Sequence, residues 1–285
     1  MGIKPMLQRN KSNSKTDNLY ILNEPIDLFG DKLVIDIKDV VDFCFCPYYY
    51  NIKYKLKDET NIRQLYDKSL HNTFYAYLRS LQEDKLNNTL EFLKYKWGKE
   101  WIKYKNAKDI LITPSSFQRD SIENKRKQGI DAIFNFNDMM FKDKQFPIII
   151  GHKYEIEILP NIILTGTLEY VRELTVNENK IIQVLQFISE SNRFRIQTSV
   201  EHNLELIAMS YAFKELFNVD YFQTMCIDIM KKKSSIVTCT EKDYNLLKDT
   251  VKSVIMCIQN DIKCVSPDMR CFHCEYRNIC NNSLK

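Results

Sequence analysis

Three consecutive stretches with the composition of β-strands constrain the fold of this chain more than any other feature. They span residues 148–158, 162–173 and 181–190, and polar turns at Pro160-Asn161 and Asn177-Glu178-Asn179 separate them. Residues 203–217 are apolar almost all round, as expected for a helix that packs against a sheet and is covered on its other side. Two further strands are predicted at 221–230 and 235–240. The pattern predicts an α/β domain with a mixed central sheet and flanking helices.

Helical periodicity precedes and follows these strands. One helix is predicted from Leu70, Phe74, Tyr77, Leu78 and Leu81, and the next from Leu86, Leu90, Leu93 and Trp97. A third is expected to start at Pro114-Ser115-Ser116 and to run through Ile122, Ile130, Ile133 and Phe134. A last amphipathic helix is marked by Leu247, Val251, Val254, Ile255 and Ile258. We expect a flexible tail at 1–30 and one domain at 31–285, with a helical insertion at about 60–140 and the core at about 147–240.

Composition excludes some classes of protein. The longest apolar runs are far shorter than the roughly 18 residues of a membrane-spanning helix, so no membrane partner is expected. The polar N-terminus lacks the apolar core of a secretory signal, which predicts an intracellular protein, cytoplasmic or associated with DNA. In that compartment the nine cysteines are expected to be reduced thiols or metal ligands. The net charge of +4 is too small to indicate a nucleic-acid partner by itself.

Three cysteines near the C-terminus have the spacing of metal ligands. Cys271, Cys274 and Cys280 form a C-x2-C-x5-C pattern, and Cys46, directly before Pro47, is the candidate for the fourth ligand. All-thiolate sites hold zinc or an iron-sulfur cluster, and spacing alone does not separate the two. Ordinary buried cysteines are a third interpretation. Cys44 competes with Cys46 as the distant ligand, and His273 lies inside the C-terminal loop.

Lysines and aromatic residues alternate in a segment that suits nucleic-acid binding. Its candidate contacts are Lys94, Lys96, Trp97, Lys99, Trp101 and Lys103, which combine positive charge with rings that stack on unpaired bases. Lys125, Arg126 and Lys127, together with the Lys231-Lys232-Lys233 turn, are further candidates for phosphate contacts. The alternative is a helix that buries its aromatic rings while its lysines reach solvent.

The order of these features resembles one family. A cysteine-proline-aromatic segment, a helical histidine, strands with a helix, and then C-x2-C-x5-C are similar to the RecB-type PD-(D/E)XK nucleases with an iron-sulfur cluster. That group includes the CRISPR-associated adaptation exonucleases, AddB and related repair nucleases. The resemblance covers most of residues 40–280. It implies a restriction-endonuclease-like core and an iron-sulfur staple, most simply 4Fe-4S, that joins the N-terminal and C-terminal segments.

The resemblance also assigns residues to a nuclease site. Residues 67–71 are similar to the family's G-x-x-x-H helix, with Asp67 for the glycine and His71 as the metal-binding histidine. Residues 164–169 match its L-x-G-x-x-D strand, with Glu169 in the place of the aspartate. Glu155, on the preceding strand, completes a residual acidic pair.

Four further positions depart from the family pattern. Gln186 and Ile188 stand where the family has the acid and the lysine of its (D/E)-x-K strand, and Glu205 and Met209 replace the glutamine and tyrosine of the following helix. Cleavage of DNA by such sites requires carboxylates that hold Mg²⁺ or Mn²⁺, and loss of one electrostatic group typically costs about 10²–10³-fold in rate. Glu190, with Arg193 or Arg195, is an alternative acid and cation a few residues further along.

These features predict a DNA-binding relative of the nucleases that no longer cleaves. It is expected to act in recombination, repair, replication or adaptation within a complex, with a helicase or an integrase as the partner that the resemblance implies. An active Mg²⁺- or Mn²⁺-dependent DNA exonuclease and a scaffold subunit that does not bind DNA are the alternatives.

Overall fold

A six-stranded mixed sheet forms the centre of the fold. The computed structural model describes residues 32–55, 60–83, 89–105, 110–111, 122–140, 145–176, 178–189 and 203–264, with 271, 274, 276, 277 and 280. The strands of the sheet are β1 (Leu33–Asp36), β4 (Gln145–Leu159), β5 (Ile162–Val176), β6 (Asn179–Ile188), β7 (Gln223–Asp228) and β8 (Lys233–Val237). A separate parallel pair consists of β2 (Thr60–Asn61) and β3 (Ile110–Leu111).

Helices cover both faces of this sheet. Within the described residues they are α1 (Ile37–Phe45), α2 (Pro47–Lys55), α3 (Ile62–Gln82), α4 (Leu90–Lys105), α5 (Ile122–Met140), α6 (Leu204–Phe217) and α7 (Glu241–Gln259). One apolar core joins the sheet to α1, α6 and α7 through buried residues such as Val40, Ile207 and Leu247. A second core joins the other face to α3, α4 and α5, where the rings of Phe74 and Phe136 stack with centroids 4.0 Å apart.

The long strand β5 organises the sheet, because one of its edges is shared by two strands. Antiparallel β4 pairs with the other edge over nearly its whole length. On the shared edge, β1 runs parallel to β5 as far as Thr165, and β6 runs antiparallel to it from Tyr170 onward. The stretch between Thr165 and Tyr170 pairs with neither β1 nor β6. Both strands therefore end at one gap in the sheet.

Residues with left-handed backbone conformation make the connections of this sheet short. Asn161 (φ 62°) turns β4 into β5, and Glu178 (φ 68°) lies in the turn from β5 to β6. After β6 the chain enters α6, which Asn203 caps by accepting a hydrogen bond from the Leu206 N–H at 3.0 Å. It then returns as β7, parallel to β6.

The predicted mixed sheet with flanking helices is confirmed, and the strands differ from their predicted bounds by a few residues. The predicted tail and the predicted start of the third helix at Pro114 lie outside the described residues, and α5 is described from Ile122. The short strand β1 and the helices α1 and α2 were not predicted. No helix of the described residues has both the length and the apolar character needed to cross a bilayer.

Candidate functional site

Most of the residues that the sequence predicts for the nuclease site lie at the gap along the edge of β5 that β1 and β6 share. Glu169 lies in the unpaired stretch of β5, and the carboxyl ends of β1 and β6 point toward it at Asp36 and Ile188. The backbone of β5 between Thr165 and Tyr170 pairs with neither β1 nor β6, so side chains from other elements can reach this edge of the sheet. The gap is therefore the candidate functional site.

Glu169 is a buried carboxylate in this gap, with 8% of its surface exposed. Its Oε2 accepts the backbone N–H of Phe187 at 2.7 Å, and its Oε1 lies 3.8 Å from His71 Nδ1. Burial raises the pKa of Glu169, and the Glu205 carboxylate acts in the same direction. His71, the Phe187 N–H and Lys38 oppose that rise because they stabilise the ionised form.

His71 connects two carboxylates. It projects from α3 with its Nε2 3.8 Å from Asp67 Oδ1, while its Nδ1 faces Glu169 and lies 3.4 Å from the Tyr75 hydroxyl. Asp67 in turn accepts a hydrogen bond from Ser189 Oγ, at the end of β6. The helical histidine and the strand acid of the family motifs are therefore neighbours in space.

Both the oxygen and the nitrogen of the Gln186 side-chain amide form hydrogen bonds. It is 4% exposed, and its Oε1 accepts a hydrogen bond from Asn203 Nδ2 at 2.6 Å. Its Nε2 donates to Glu205 Oε2 at 2.9 Å. The neutral Gln186 side chain therefore lies directly against a carboxylate from the first turn of α6.

Lys38 lies in the first turn of α1, two residues after Asp36 at the end of β1, and its surface is exposed. Its backbone N–H donates to Asp36 Oδ1 at 2.8 Å, and Asp36 Oδ2 accepts the Thr165 hydroxyl at 3.3 Å. Burial lowers the pKa of Lys38, but the nearby carboxylates reverse this and leave that pKa raised. Those carboxylates are Glu205, Asp67, Glu169 and Asp36. The chain offered one signal for this position, the apolar run from Leu33 to Ile35 that forms β1.

Tyr154 contributes a buried hydroxyl to the floor of the gap. It is 2% exposed, and its oxygen has no hydrogen-bond partner in the structure. Burial raises its pKa, and the carboxylates of Asp36 and Glu205 add to that rise. A Cβ atom on Gly166 would lie 2.4 Å from this oxygen, so only glycine leaves room for the ring.

Two predicted site residues lie apart from this arrangement. Ile188 is partly buried against an apolar cluster with Leu206, Cys226 and Val237, and it offers no polar group. Glu155 is exposed on β4, where it pairs with Thr165 on the edge of β5 opposite the gap. The alternative residues Glu190, Arg193 and Arg195 lie outside the described residues.

The predicted cysteine ligands belong to two segments that meet. Cys46 Sγ accepts the backbone N–H of Tyr49 at 3.4 Å, and the ring of Tyr49 lies 5.0 Å from that of Tyr276, between Cys274 and Cys280. Cys271, Cys274 and Cys280 are connected by turn hydrogen bonds, including Cys274 N–H to the Cys271 carbonyl at 3.3 Å. His273 lies outside the described residues.

The donor chemistry of the four cysteines fits a metal centre. All four are free thiols of intermediate exposure, and the N–H bond to Cys46 Sγ is the kind that stabilises a bound thiolate. Cys44 differs, because its surface is more exposed than theirs, although partial burial of its thiol and the nearby Cys257 of α7 raise its pKa. In the part of the chain that is described, no three histidine, cysteine or acidic side chains are already arranged as a metal-ligand group.

The predicted nucleic-acid contacts divide into core and surface residues. Trp97 and Trp101 are 3% and 4% exposed and pack in the second core, so they do not fit the predicted stacking on bases. Lys125 is also buried, with its ammonium 4.9 Å above the Tyr66 ring.

The remaining charged candidates are exposed or nearly so. Lys94 and Arg126 form ion pairs with Glu91 and Glu123, at 3.0 and 2.9 Å. Lys103 pairs with Glu100, Lys96 lies 5.4 Å above the Phe92 ring, and Lys127 is exposed. Lys99 lies 4.7 Å above the ring of Tyr95, an aromatic residue that is 55% exposed and that the sequence analysis did not select.

No model of a protein family matches the chain, and no curated protein matches it.

Proposed function

We propose that this protein binds DNA through a RecB-like PD-(D/E)XK nuclease fold. The observation that carries the proposal is the approach of His71 and Glu169, 3.8 Å apart, at the carboxyl ends of β1 and β6. The mixed sheet with helices on both faces also supports it, since the resemblance implies a core of that architecture.

The helical layer beside the site is the proposed DNA surface. Asn72, next to His71, donates to Glu100 Oε2 at 3.0 Å, so α4 runs past the site. The exposed Tyr95 and Lys99 on this helix offer a ring for an unpaired base and a charge for a phosphate. The family resemblance suggests work in recombination, repair, replication or adaptation within a complex, with a helicase or an integrase as partner.

The proposal includes an iron-sulfur cluster held by Cys46, Cys271, Cys274 and Cys280, with zinc as the alternative metal. The contact between Tyr49 and Tyr276 supports it, because this contact joins the segments that carry the two parts of the ligand set. When bound, such a cluster would cross-link the beginning and the end of the domain. Iron and sulfide analysis of anaerobically purified protein distinguishes the two metals.

DNA binding is tested by its dependence on salt. We expect the affinity for end-labelled single- and double-stranded DNA to fall steeply with ionic strength, because each phosphate contact releases counterions. Lys99→Ala should reduce the slope of log K against log salt by about one. Lys242→Ala, on the exposed surface of α7, is the control that should leave the slope unchanged. Binding that is absent or insensitive to salt would favour the scaffold alternative.

A second candidate function is metal-dependent degradation of DNA. The observation that favours it is the hydrogen bond between Gln186 and Glu205, which keeps a carboxylate beside the position of the missing acid. Mg²⁺ or Mn²⁺ supplies the charge that neutralises a phosphate and activates a water molecule. Loss of degradation in Glu169→Ala, measured with the same DNA substrates, would identify this function.

A further inference from the structure

We infer that the helical layer contains a second binding site, which holds a phosphate-like oxyanion between α4 and the first turns of α5. The donors of this site are the indole N–H of Trp101 and the ammonium group of Lys125. Both residues are buried in the helical layer, and neither takes part in the gap in the sheet. The oxyanion site does not depend on the proposed binding of DNA.

The indole N–H of Trp101 is a buried donor without an acceptor. Trp101 is 4% exposed, and within the described part of the chain its Nε1 has no hydrogen-bond partner. This N–H can only donate, so no change of protonation removes its need for an acceptor. Buried donors in native proteins are rarely left unpaired, and an ion or a water molecule bound beside them is one explanation when they are. Trp101 therefore indicates a bound acceptor.

Helices α4 and α5 pack against each other in antiparallel directions. Near the start of α4, the ammonium of Lys94 lies 5.2 Å from the centre of the Phe134 ring. One turn later the ring of Trp97 lies against Gly129, where a Cβ atom would be 2.0 Å from its Cζ2. Residue numbers therefore rise along α4 while they fall along α5. The next turn of the interface brings the residue four positions after Trp97 opposite the one four positions before Gly129.

Those two residues are Trp101 and Lys125, and Lys125 is a lysine inside the core. It is 4% exposed, and its ammonium lies 4.9 Å above the Tyr66 ring. Burial disfavours the charged form of a lysine, and an anion beside the ammonium offsets that cost. The ammonium and the indole N–H are thus two buried donors on facing turns of one helix interface.

The charges around this level of the interface favour an anion. Lys125 lies close to the N-terminus of α5, where the helix dipole is positive. On α4, Glu100 accepts a hydrogen bond from Lys103. On α5, Glu123 accepts one from Arg126 at 2.9 Å. Both negative charges are therefore balanced by neighbouring cations. A compact oxyanion has several acceptor oxygens, so it can accept from the ammonium and the indole N–H together.

Exposed cations beside Lys125 provide the approach to the site. In the Lys125-Arg126-Lys127 run the first residue is buried, whereas Arg126 and Lys127 are exposed. Surface charges attract an anion at long range, and the buried ammonium, which solvent screens less, holds it more strongly. Inorganic phosphate and the terminal phosphate of a nucleic-acid strand share this chemistry. Both are therefore probes for the site.

Tryptophan fluorescence reports on this site directly, because Trp97 and Trp101 are the two tryptophans of the chain. Titration of the wild-type protein with inorganic phosphate should produce a saturable change in emission. Ionic strength is held constant with chloride, so that general screening of charge does not change during the titration. Phosphate should also raise the unfolding temperature, since a ligand that binds only the folded state stabilises it. Absence of both responses overturns the inference, and a water molecule in place of the anion would give that result.

Lys125→Met should weaken phosphate binding at least about 10-fold, because the variant keeps an apolar side chain of similar length and loses the charge. Lys127→Met, on the exposed surface of α5, is the matched control and should bind phosphate as wild type does. Trp101→Phe keeps a ring and removes the N–H, so it should weaken binding about 10-fold, with Trp97 as the remaining reporter. Without phosphate, Lys125→Met should unfold at the wild-type temperature or higher, because a buried charge is removed. Unchanged affinity in folded Lys125→Met or in folded Trp101→Phe overturns the assignment of that donor.

A single-stranded oligonucleotide with a terminal phosphate, compared with the same strand without it, separates the two sources of the anion. Tighter binding of the phosphorylated strand, lost in Lys125→Met, supports the site and assigns it to a strand end. Equal binding of the two strands, with the response to inorganic phosphate retained, supports the site and assigns it to a free anion. Failure of the proposed DNA binding remains distinguishable, because it would abolish binding of both strands while the response to inorganic phosphate still depends on Lys125.

Discussion

At the scale of single residues, the buried carboxylate of Glu169 is expected to lower stability at neutral pH. Because its pKa is raised above the ordinary value of 4.5, the folded protein retains a proton that the unfolded chain loses as the pH rises from there. Stability contributed by that proton is present at low pH and is lost as the pH rises through the folded-state pKa. The ionised Glu169 side chain therefore lowers the stability of the folded protein while it places a negative charge in the gap.

Glu169→Gln should therefore stabilise the metal-free protein by ~1 kcal/mol at pH 7. The amide oxygen can still accept the Phe187 N–H, and the cost of a buried charge is removed. Thermal unfolding in EDTA should show the advantage of the variant growing as the pH increases above about 4.5. Glu155→Gln, exposed on the adjacent strand, is the control that should change little. A Glu169→Gln protein that is less stable at pH 7 would contradict this explanation.

Short sequence motifs predict some residues of the candidate site and miss others. Short motifs predict His71 and Glu169 as site residues, because each motif fixes a residue type on one helix or strand, and the structure places the two side chains 3.8 Å apart. Asn203 was not predicted, since its hydrogen bond to Gln186 depends on the approach of α6 to β6. For Trp97 and Trp101 the sequence allows both base stacking and burial with the lysines at the surface, and their rings pack into the core.

At the scale of elements, the packing of α4 against α5 depends on one glycine. A Cβ atom on Gly129 of α5 would lie 2.0 Å from Cζ2 of the buried Trp97 ring, whereas a Cβ atom on Gly98 of α4 would meet nothing within 4 Å. Both glycines lie inside helices, where glycine is less favourable than alanine by roughly 0.5–1 kcal/mol. Substitution of Gly98 by alanine therefore measures helix propensity alone, whereas the same substitution of Gly129 also measures packing against Trp97.

Gly129→Ala should destabilise the protein by about 1–3 kcal/mol, because the ring of Trp97 has to move within a packed core. Gly98→Ala should instead raise stability by roughly 0.5–1 kcal/mol. Urea unfolding monitored by tryptophan fluorescence measures both changes. Equal effects of the two substitutions would show that the two helices do not pack as described.

Elements with strong periodicity were the ones that the sequence could predict. The strands β4, β5 and β6 are 10 to 15 residues long and bounded by turn residues, so their pattern is clear. Strand β1 has only four residues, and its position beside β5 is a contact between distant parts of the chain. The gap in the sheet exists because β1 and β6 share one edge of β5, and local sequence patterns do not specify that arrangement.

At the scale of the whole molecule, the proposed cluster would tie α2 to the C-terminal segment through the contact of Tyr49 with Tyr276. A bound cluster stabilises the folded state by its binding free energy and constrains a loop that includes nearly the whole domain. Loss of one ligand should therefore affect the global unfolding temperature as well as the colour of the protein. A cysteine outside the ligand set should affect neither.

Cys280→Ser should lose at least half of the iron and sulfide of the wild type and unfold at a temperature several degrees lower, since ~1 kcal/mol corresponds to about 2–4 °C in a domain of this size. Cys44→Ser is the matched control, because Cys44 is exposed and electrostatically coupled to Cys257 of α7. Visible absorbance with metal analysis, followed by thermal unfolding under anaerobic conditions, measures both properties. If Cys44→Ser loses the metal while Cys46→Ser retains it, the distant ligand is Cys44; zinc without iron in the wild type would replace the cluster by a zinc site.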